Sequence, residues 1–359
     1  MRKYYLDNLR CLTVALVVVY HVIYMFCGVI DFAVIGPFRD SQPQDGLLYL
    51  LYPWFMQLLF LVAGMSSRYS LEKRSVREFV RSRTQKLLVP STLGVLVFGW
   101  MQGWISMSMA NAFASIPAEA PGAVRFLIMT LSGTGVLWFA QLLWFFSMLL
   151  ALVRRFESGR LYAACEKLTL PWLVLLVIPV YLSGLVLNNP VVVVYRFGIY
   201  GFSFFLGYFV FAHEAVIERL SKAALPLSLA ALALGILYLV LHFGDDYANA
   251  PTVSSVEAVV FGWAACLALL GGMKRWGDRE YGLVKYLAPR SYGLYILHYL
   301  PLSAAALLLH RAGFSALPSY LLTAAAGFGG ALILYEIGSR IPVVRYLVLG
   351  RKGARHVSR

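Results

Sequence analysis

The chain has 359 residues, of which 60% are apolar or aromatic and 13% are charged, with a mean hydropathy of +0.73. Soluble globular domains carry about 25% charged residues, so this composition excludes an ordinary soluble fold and predicts an integral membrane protein. The formal net charge of +14 is spread over short segments between apolar runs, which argues against a nucleic-acid partner.

Ten apolar runs of membrane-spanning length follow one another along the chain. They predict an all-α, polytopic bundle of about ten transmembrane helices in a lipid bilayer. No shift in composition marks a second domain, so we predict one membrane domain over residues 1–359, with a core of about 4–340 and a short basic cytoplasmic tail over 341–359. The predicted spans are 11–30, 46–66, 87–107, 135–153, 170–187, 196–212, 224–243, 254–273, 290–310 and 319–339.

The basic residues between these spans alternate strongly from one side to the other. We count an arginine at the first residue of a span with the segment before it. Of the 31 Lys and Arg residues, 27 then fall in one alternate set of segments and 4 in the other. Lys and Arg are enriched in cytoplasmic loops, so the sequence predicts that both termini are cytoplasmic. The expected location is a plasma or inner membrane, in a bacterial cell.

The first span carries an arginine and a histidine that share one helix face. In "RCLTVALVVVYH", Arg10 and His21 are eleven positions apart, which is close to three full turns and about 16 Å of helix rise. Arg10 is therefore expected near the cytoplasmic interface and His21 near the bilayer midplane, with Tyr24 on the same side. An ionisable group at that depth usually marks a substrate or proton path, although an interhelical hydrogen bond would also account for it.

The second cytoplasmic segment, "SSRYSLEKRSVREFVRSRTQKLLVP", is the most basic part of the chain. Membrane orientation explains most of this charge. Arg81, Arg83 and Lys86 nevertheless come directly before a span, where they would bind a phosphate-rich ligand well. Pro90 follows within about one turn and predicts a defined corner.

The ninth span carries a second histidine at a depth similar to that of His21. His298 lies about 12 Å of helix rise beyond Arg290, and Tyr295 is one turn away on the same face. Both are candidates for lining the active cavity, although Pro301 nearby also accounts for a change in helix shape.

These stretches resemble the acyltransferase-3 family of integral-membrane acyltransferases. Its first signature, a basic residue followed by ten residues and then His, is matched by Arg10 and His21. Its second, a pair of basic residues and then a Pro, is similar to "FVRSRTQKLLVP", with Lys86 where Arg is usual. Lysine cannot form the bidentate fork of arginine. Further similar elements are "FLVAGM" (60–65), "GVLWFAQLLW" (135–144), which contains Trp138, and "SYGLYILHYLP" (291–301).

The resemblance implies a membrane O-acyltransferase. Its donor would be cytoplasmic acyl-CoA of the acetyl or succinyl class, and its acceptor a hydroxyl of a glycan or another cell-envelope molecule. By the same resemblance His21 is the catalytic base or a transient acyl carrier and Arg10 supports the donor or a nearby charge. Arg83 and Lys86 would hold the donor phosphates, together with the neighbouring Arg81. Tyr24, Trp138, Tyr295 and His298 would line the cavity. No metal is expected, because the four cysteines show no metal-type spacing.

Two other classes of function stay open at this point. Polar groups near the midplane and broken helices also suit a multi-pass secondary transporter, although only one Arg-x10-His pattern is present where two similar halves would show two. An export partner for an envelope polysaccharide is the other alternative. The sequence does not indicate the acceptor, the acyl chain or the oligomeric state.

Overall fold

A computed structural model of the protein describes residues 3–30, 33–116, 120–188 and 194–352. Within these ranges the chain is helical apart from its connecting loops and one isolated antiparallel bridge between Asn188 and Arg196, and no strand forms. A helix satisfies its own backbone hydrogen bonds, which a segment in lipid cannot leave unpaired. The prediction of an all-α membrane protein is confirmed.

The helices of the described ranges are numbered here in chain order. They are α1 Tyr4–Met25, α2 Pro43–Leu71, α3 Val76–Met109, α4 Gly122–Ser132, α5 Gly135–Val153, α6 Arg160–Cys165, α7 Leu170–Val186, α8 Phe197–Phe211, α9 Glu214–Lys222, α10 Ala224–His242, α11 Ala250–Val253, α12 Val256–Gly277, α13 Gly282–Leu287, α14 Ser291–Arg311, α15 Ala316–Arg340 and α16 Pro342–Leu347.

Eight of these helices in the described ranges are long and apolar enough to cross a membrane: α1, α2, α3, α5, α10, α12, α14 and α15. They coincide with eight of the ten predicted spans. The other two, 170–187 and 196–212, fall on the shorter helix α7 and on α8, which is bent by 96° from α9. Counting that bent pair as one span gives nine. Ten spans and two cytoplasmic termini therefore stay a prediction.

The described residues form two compact units, and each unit is assembled from three separate stretches of chain. The first comprises Met1–Tyr20, Pro43–Val80 and Phe145–Pro289, and the second comprises His21–Gln42, Arg81–Trp144 and Arg290–Arg359. The chain passes from one unit to the other within α1, α3 and α5, so each of these helices contributes residues to both. The prediction of a single domain over 1–359 is not tested by this division.

In the first unit, helices pack closely where small residues face a neighbouring backbone. α2 packs on α8, and both α9 and α10 pack on α12. A side chain added at Gly64 of α2 would overlap the carbonyl oxygen of Phe204 in α8, so glycine permits this approach. The intraspan amide of Gln57 donates to the Ser203 hydroxyl at 3.1 Å, which satisfies a polar group inside the bundle.

In the second unit, the later part of α3 packs on α4, while α14 packs on both α3 and α15. Gln102 of α3 donates to the Ser303 hydroxyl of α14 at 3.2 Å, and both side chains are buried. These contacts hold α14, which carries His298, against α3, which carries the basic segment. The candidate site is built on this arrangement.

Candidate active site

His21 and His298 lie in hydrogen-bond contact inside the second unit. His21 is near the end of α1, and His298 lies in the first half of α14. Nε2 of His298 is 3.1 Å from Nδ1 of His21, and the ring centroids are 5.0 Å apart. His298 is fully buried, whereas His21 is partly exposed. Two residues that are far apart in the sequence therefore form one pair of imidazoles.

Aromatic side chains surround this pair. The Tyr299 ring meets His21 edge-on with centroids 4.9 Å apart, and the Tyr24 ring lies 6.3 Å from it. On the other side, the carbonyl oxygen of Tyr295 is 2.8 Å from Nδ1 of His298. Of the predicted lining residues, Tyr24, Tyr295 and His298 thus come together around His21.

The fourth predicted lining residue, Trp138, is one side chain further away. Its ring lies 6.4 Å from that of Phe139, and the Phe139 ring in turn is 5.3 Å from that of Tyr295. The Tyr295 hydroxyl donates to the carbonyl oxygen of Val136 at 2.7 Å. Residues at the start of α5 therefore pack against Tyr295 and bind its hydroxyl, and Trp138 packs against Phe139, one of these residues.

Arg10 lies in the first unit. Its Nη2 donates to the Ser66 hydroxyl at 3.3 Å, and its Nη1 is 3.8 Å from an oxygen of Asp7. A partly exposed ion pair of this kind contributes at most about 1 kcal/mol. Arg10 does precede His21 on the same continuous helix, as the sequence predicts, but its role toward the donor or a nearby charge stays a prediction.

The three basic candidates lie in the part of α3 that precedes its apolar stretch. Arg81 and Lys86 are exposed and Arg83 is partly buried. The helix widens into a π turn over Thr84–Leu88. Pro90 lacks the N–H that would donate to Lys86, and its ring crowds that carbonyl, so a wider turn at this place relieves the conflict. The predicted corner is thus a local widening of a continuous helix.

Side chains from α5 hold this turn in place. Trp144 Nε1 donates to the Thr84 hydroxyl at 3.1 Å, and Gln141 Nε2 donates to the carbonyl oxygen of Ser91 at 3.0 Å. These donors bind oxygens that flank the π turn at both ends. The basic residues therefore lie on a helical segment that two hydrogen bonds from α5 hold in position.

Tyr292 connects the basic segment with the histidine pair, and it was not singled out from the sequence. It lies in α14, its hydroxyl is buried with no hydrogen-bond partner among the described residues, and the positive charge of Arg83 acts on it. Tyr292 precedes His298 by six residues on the same helix, which is about 9 Å of rise. The signal was present in "SYGLYILH", where Tyr292, Tyr295 and His298 recur at helical spacing.

The segment after α15 also reaches the π turn, which the predicted tail over 341–359 did not anticipate. Gln85 Nε2 donates to the carbonyl oxygen of Gly350 at 2.9 Å. Gly350 has a positive φ of 61°, and a side chain there would come within 2.6 Å of the Gln85 carbonyl oxygen. Glycine is thus required both by the backbone conformation and by the close approach. Within this segment Val348, Leu349 and Gly350 are buried, and its assignment to a cytoplasmic tail stays a prediction.

A family model described as an acyltransferase domain matches residues 3–336. The chain belongs to the acyltransferase-3 family. No curated protein and no solved structure matches it.

Membership of the acyltransferase-3 family confirms that this protein is an acyltransferase, and its apolar helices agree with a multi-pass membrane protein. The match includes the His21–His298 pair and the basic segment of α3. α16 and Gly350 lie beyond the matched residues, so the contact with the π turn is a feature of this chain outside the family match.

The paired histidines do not belong to a metal-binding group in the described part of the chain. No set of three or more His, Cys, Asp or Glu side chains there is arranged to hold a metal ion. The distance of 3.1 Å between ring nitrogens is that of a direct hydrogen bond. A direct hydrogen bond between two imidazole rings can pass a proton from one ring to the other.

Proposed function

We propose that this acyltransferase transfers an acyl group, of the acetyl or succinyl class, from cytoplasmic acyl-CoA to a hydroxyl of a glycan or another cell-envelope acceptor. We further propose that it acts in the plasma or inner membrane of a bacterial cell. The observation that carries the proposal is the His21–His298 pair. His298 lies about 9 Å of helix rise from Tyr292, on which the charge of Arg83 acts.

The basic end of α3 suits the phosphates of the donor. Arg83 and Arg81 present guanidinium groups and Lys86 an ammonium group, all carried by the braced segment around the π turn. Charge-assisted hydrogen bonds to phosphate are among the strongest that proteins make. A donor with its nucleotide here could extend a long, slender pantetheine arm along α14, so that its thioester reaches the histidine pair.

The chemistry requires one proton acceptor at the thioester. His21 takes the proton of the acceptor hydroxyl, the oxygen attacks the thioester carbonyl, and the C–S bond breaks. The coenzyme A thiolate then takes the proton from the imidazolium, which leaves an ester, free coenzyme A and a neutral ring. In the second route a ring nitrogen of His21 attacks the thioester carbonyl, and the C–S bond breaks to give an acyl-imidazole and the coenzyme A thiolate. The acceptor hydroxyl then attacks the acyl carbon, the C–N bond breaks, and the thiolate takes the hydroxyl proton. Both routes need a ring nitrogen without a proton.

Inverted membrane vesicles supplied with radiolabelled acetyl-CoA or succinyl-CoA test this proposal. Label should pass to an envelope fraction with the unchanged protein, and His21→Ala should reduce the rate by about 100-fold or more, as is usual for a lost general base. His310→Ala is the matched control, because His310 is exposed at the end of α14. Transfer that survives His21→Ala unchanged would contradict the proposal.

A further inference from the structure

The protonation state of each ring nitrogen in the histidine pair follows from the group that the nitrogen contacts. The chain of contacts runs from the Tyr295 carbonyl oxygen to His298 Nδ1, at 2.8 Å, and from His298 Nε2 to His21 Nδ1, at 3.1 Å. Both distances are those of hydrogen bonds, so each contact needs one donor and one acceptor. A neutral imidazole has one of each.

The Tyr295 carbonyl decides the first contact. A carbonyl oxygen only accepts, so Nδ1 of His298 must carry the proton. The same ring, when neutral, then has a lone pair on Nε2. Nε2 of His298 therefore accepts a hydrogen bond from His21. The sequence alone does not show which of the two ring nitrogens is the acceptor.

The second contact then decides the state of His21. Because His298 Nε2 accepts, His21 Nδ1 must donate, and the proton of a neutral His21 lies on Nδ1. Its Nε2 is left as the basic nitrogen. The hydrogen bond made by one ring nitrogen thus fixes the proton on the other.

The Tyr295 carbonyl, at which this series of hydrogen bonds begins, is held firmly in place. Tyr295 is buried, and its hydroxyl is tied to the Val136 carbonyl at 2.7 Å. His298 is fully buried and lies one helical turn after Tyr295. Little freedom is left for the His298 ring to exchange its two nitrogens, so the assignment is built into the packing of α14 against α5.

We propose that His298 is a positioning residue that holds His21 in its Nδ1–H form, so that Nε2 is the basic nitrogen of the ring. This inference rests on the proposed function, in which His21 is the base or the acyl carrier. When Nε2 takes the acceptor proton, the imidazolium keeps its Nδ1–H bond to His298, and the Tyr295 carbonyl dipole steadies that second ring. A third group that orients a base in this way is a recurrent feature of nucleophilic catalysis.

The first test reads the proton positions without any activity. The protein labelled with ¹⁵N-histidine, in lipid bilayers, gives separate signals for protonated and unprotonated ring nitrogens. The signals of its six histidines are assigned by single substitutions. We expect a protonated Nδ1 and an unprotonated Nε2 for His21, and a mixture of both forms in His298→Met. A proton on Nε2 of His21 in the unchanged protein would overturn the inference.

The second test compares two substitutions of similar size. In His298→Gln the amide oxygen can accept from His21 Nδ1–H, whereas in His298→Met no comparable acceptor remains. We expect kcat to fall about 100-fold or more in His298→Met with KM for acyl-CoA unchanged, and to recover at least tenfold in His298→Gln. Equal kcat values for two well-folded variants would show a structural role only and overturn the inference.

The two tests separate the inference from the function on which it rests. If the unchanged protein transfers no acyl group but His21 has its proton on Nδ1, the proposed function fails and the assignment stands. If acyl transfer depends on His21 but the ring carries its proton on Nε2, the function stands and the role of His298 is wrong. Size-exclusion profiles in detergent check that each variant folds.

Discussion

Single glycines decide how closely α3 and α4 approach. Gly99 and Gly103 lie one turn apart on α3, and a side chain added at Gly103 would overlap the Met129 carbonyl oxygen of α4. Gly133, directly after α4, meets the Gly99 carbonyl oxygen in the same way. Small residues four apart allow helices to pack backbone against backbone in a membrane. The contact holds α3 in place beyond the basic segment.

A methyl group at this contact should destabilise the protein. We expect Gly103→Ala to cost about 1–3 kcal/mol, because the helices must separate to admit it. The measurement is the midpoint of thermal unfolding in detergent. Gly122→Ala is the matched control, since Gly122 begins α4 with open space around it and alanine is the better helix former. Equal midpoints for the two variants would show that the close approach is not needed.

The histidines illustrate what the sequence can and cannot provide at this scale. Depth and spacing single out His21, and a similar depth suggests His298. Their contact depends on which face of α14 turns toward the end of α1, and helical periodicity within either segment does not determine that. The proton assignment depends further on a backbone carbonyl, which no pattern of side chains encodes.

Among the elements, α3 combines a regular helix with one widened turn. The basic pattern predicts a phosphate site and Pro90 predicts an interruption, and the structure shows both within one continuous helix. The sequence did not indicate that Trp144, Gln141 and Gly350 would bind this turn, because they come from α5 and from the segment after α16. Contacts between distant segments depend on the packed fold, which local propensity does not specify.

This element makes a prediction about donor binding. Arg83→Gln should raise the acyl-CoA concentration needed for half-maximal transfer by about tenfold or more, because a charge-assisted bond to phosphate is worth about 1.5–3 kcal/mol. Arg77→Gln is the control, since Arg77 is exposed earlier on α3. The initial rate is measured against donor concentration in vesicles. A shift of the same size in both variants would point to general surface charge and exclude a specific Arg83 site.

For the whole molecule, the path of the chain between α6 and α10 determines the number of membrane spans. The charge pattern predicts two spans there, while by length and composition α7 is short and α8 with α9 is strongly bent. The sequence carries the positive-inside signal, but a short or broken apolar segment can cross a membrane or return to the same side. Hydropathy alone does not separate these cases.

Thiol labelling from outside intact cells tests the path. In a variant whose four native cysteines are replaced, we expect Val194→Cys, which replaces a partly exposed residue, to react with a membrane-impermeant maleimide. Lys167→Cys and Lys222→Cys should react only after the membrane is opened, because the basic segments face the cytoplasm. Both lysines are exposed. Labelling of Lys167→Cys in intact cells, or a Val194→Cys that reacts only after the membrane is opened, would contradict the ten-span topology.

The π turn of α3 has a consequence for how this protein could change during evolution. A turn that closes over five residues behaves like a helix with one residue inserted. Because the wider turn absorbs that extra residue, deleting a single codon there would restore the ordinary helical repeat and leave the residues on either side on nearly the same faces of α3. One small genetic step could thus remove the widened turn while Arg81 and Arg83 keep their direction relative to the apolar half of the helix.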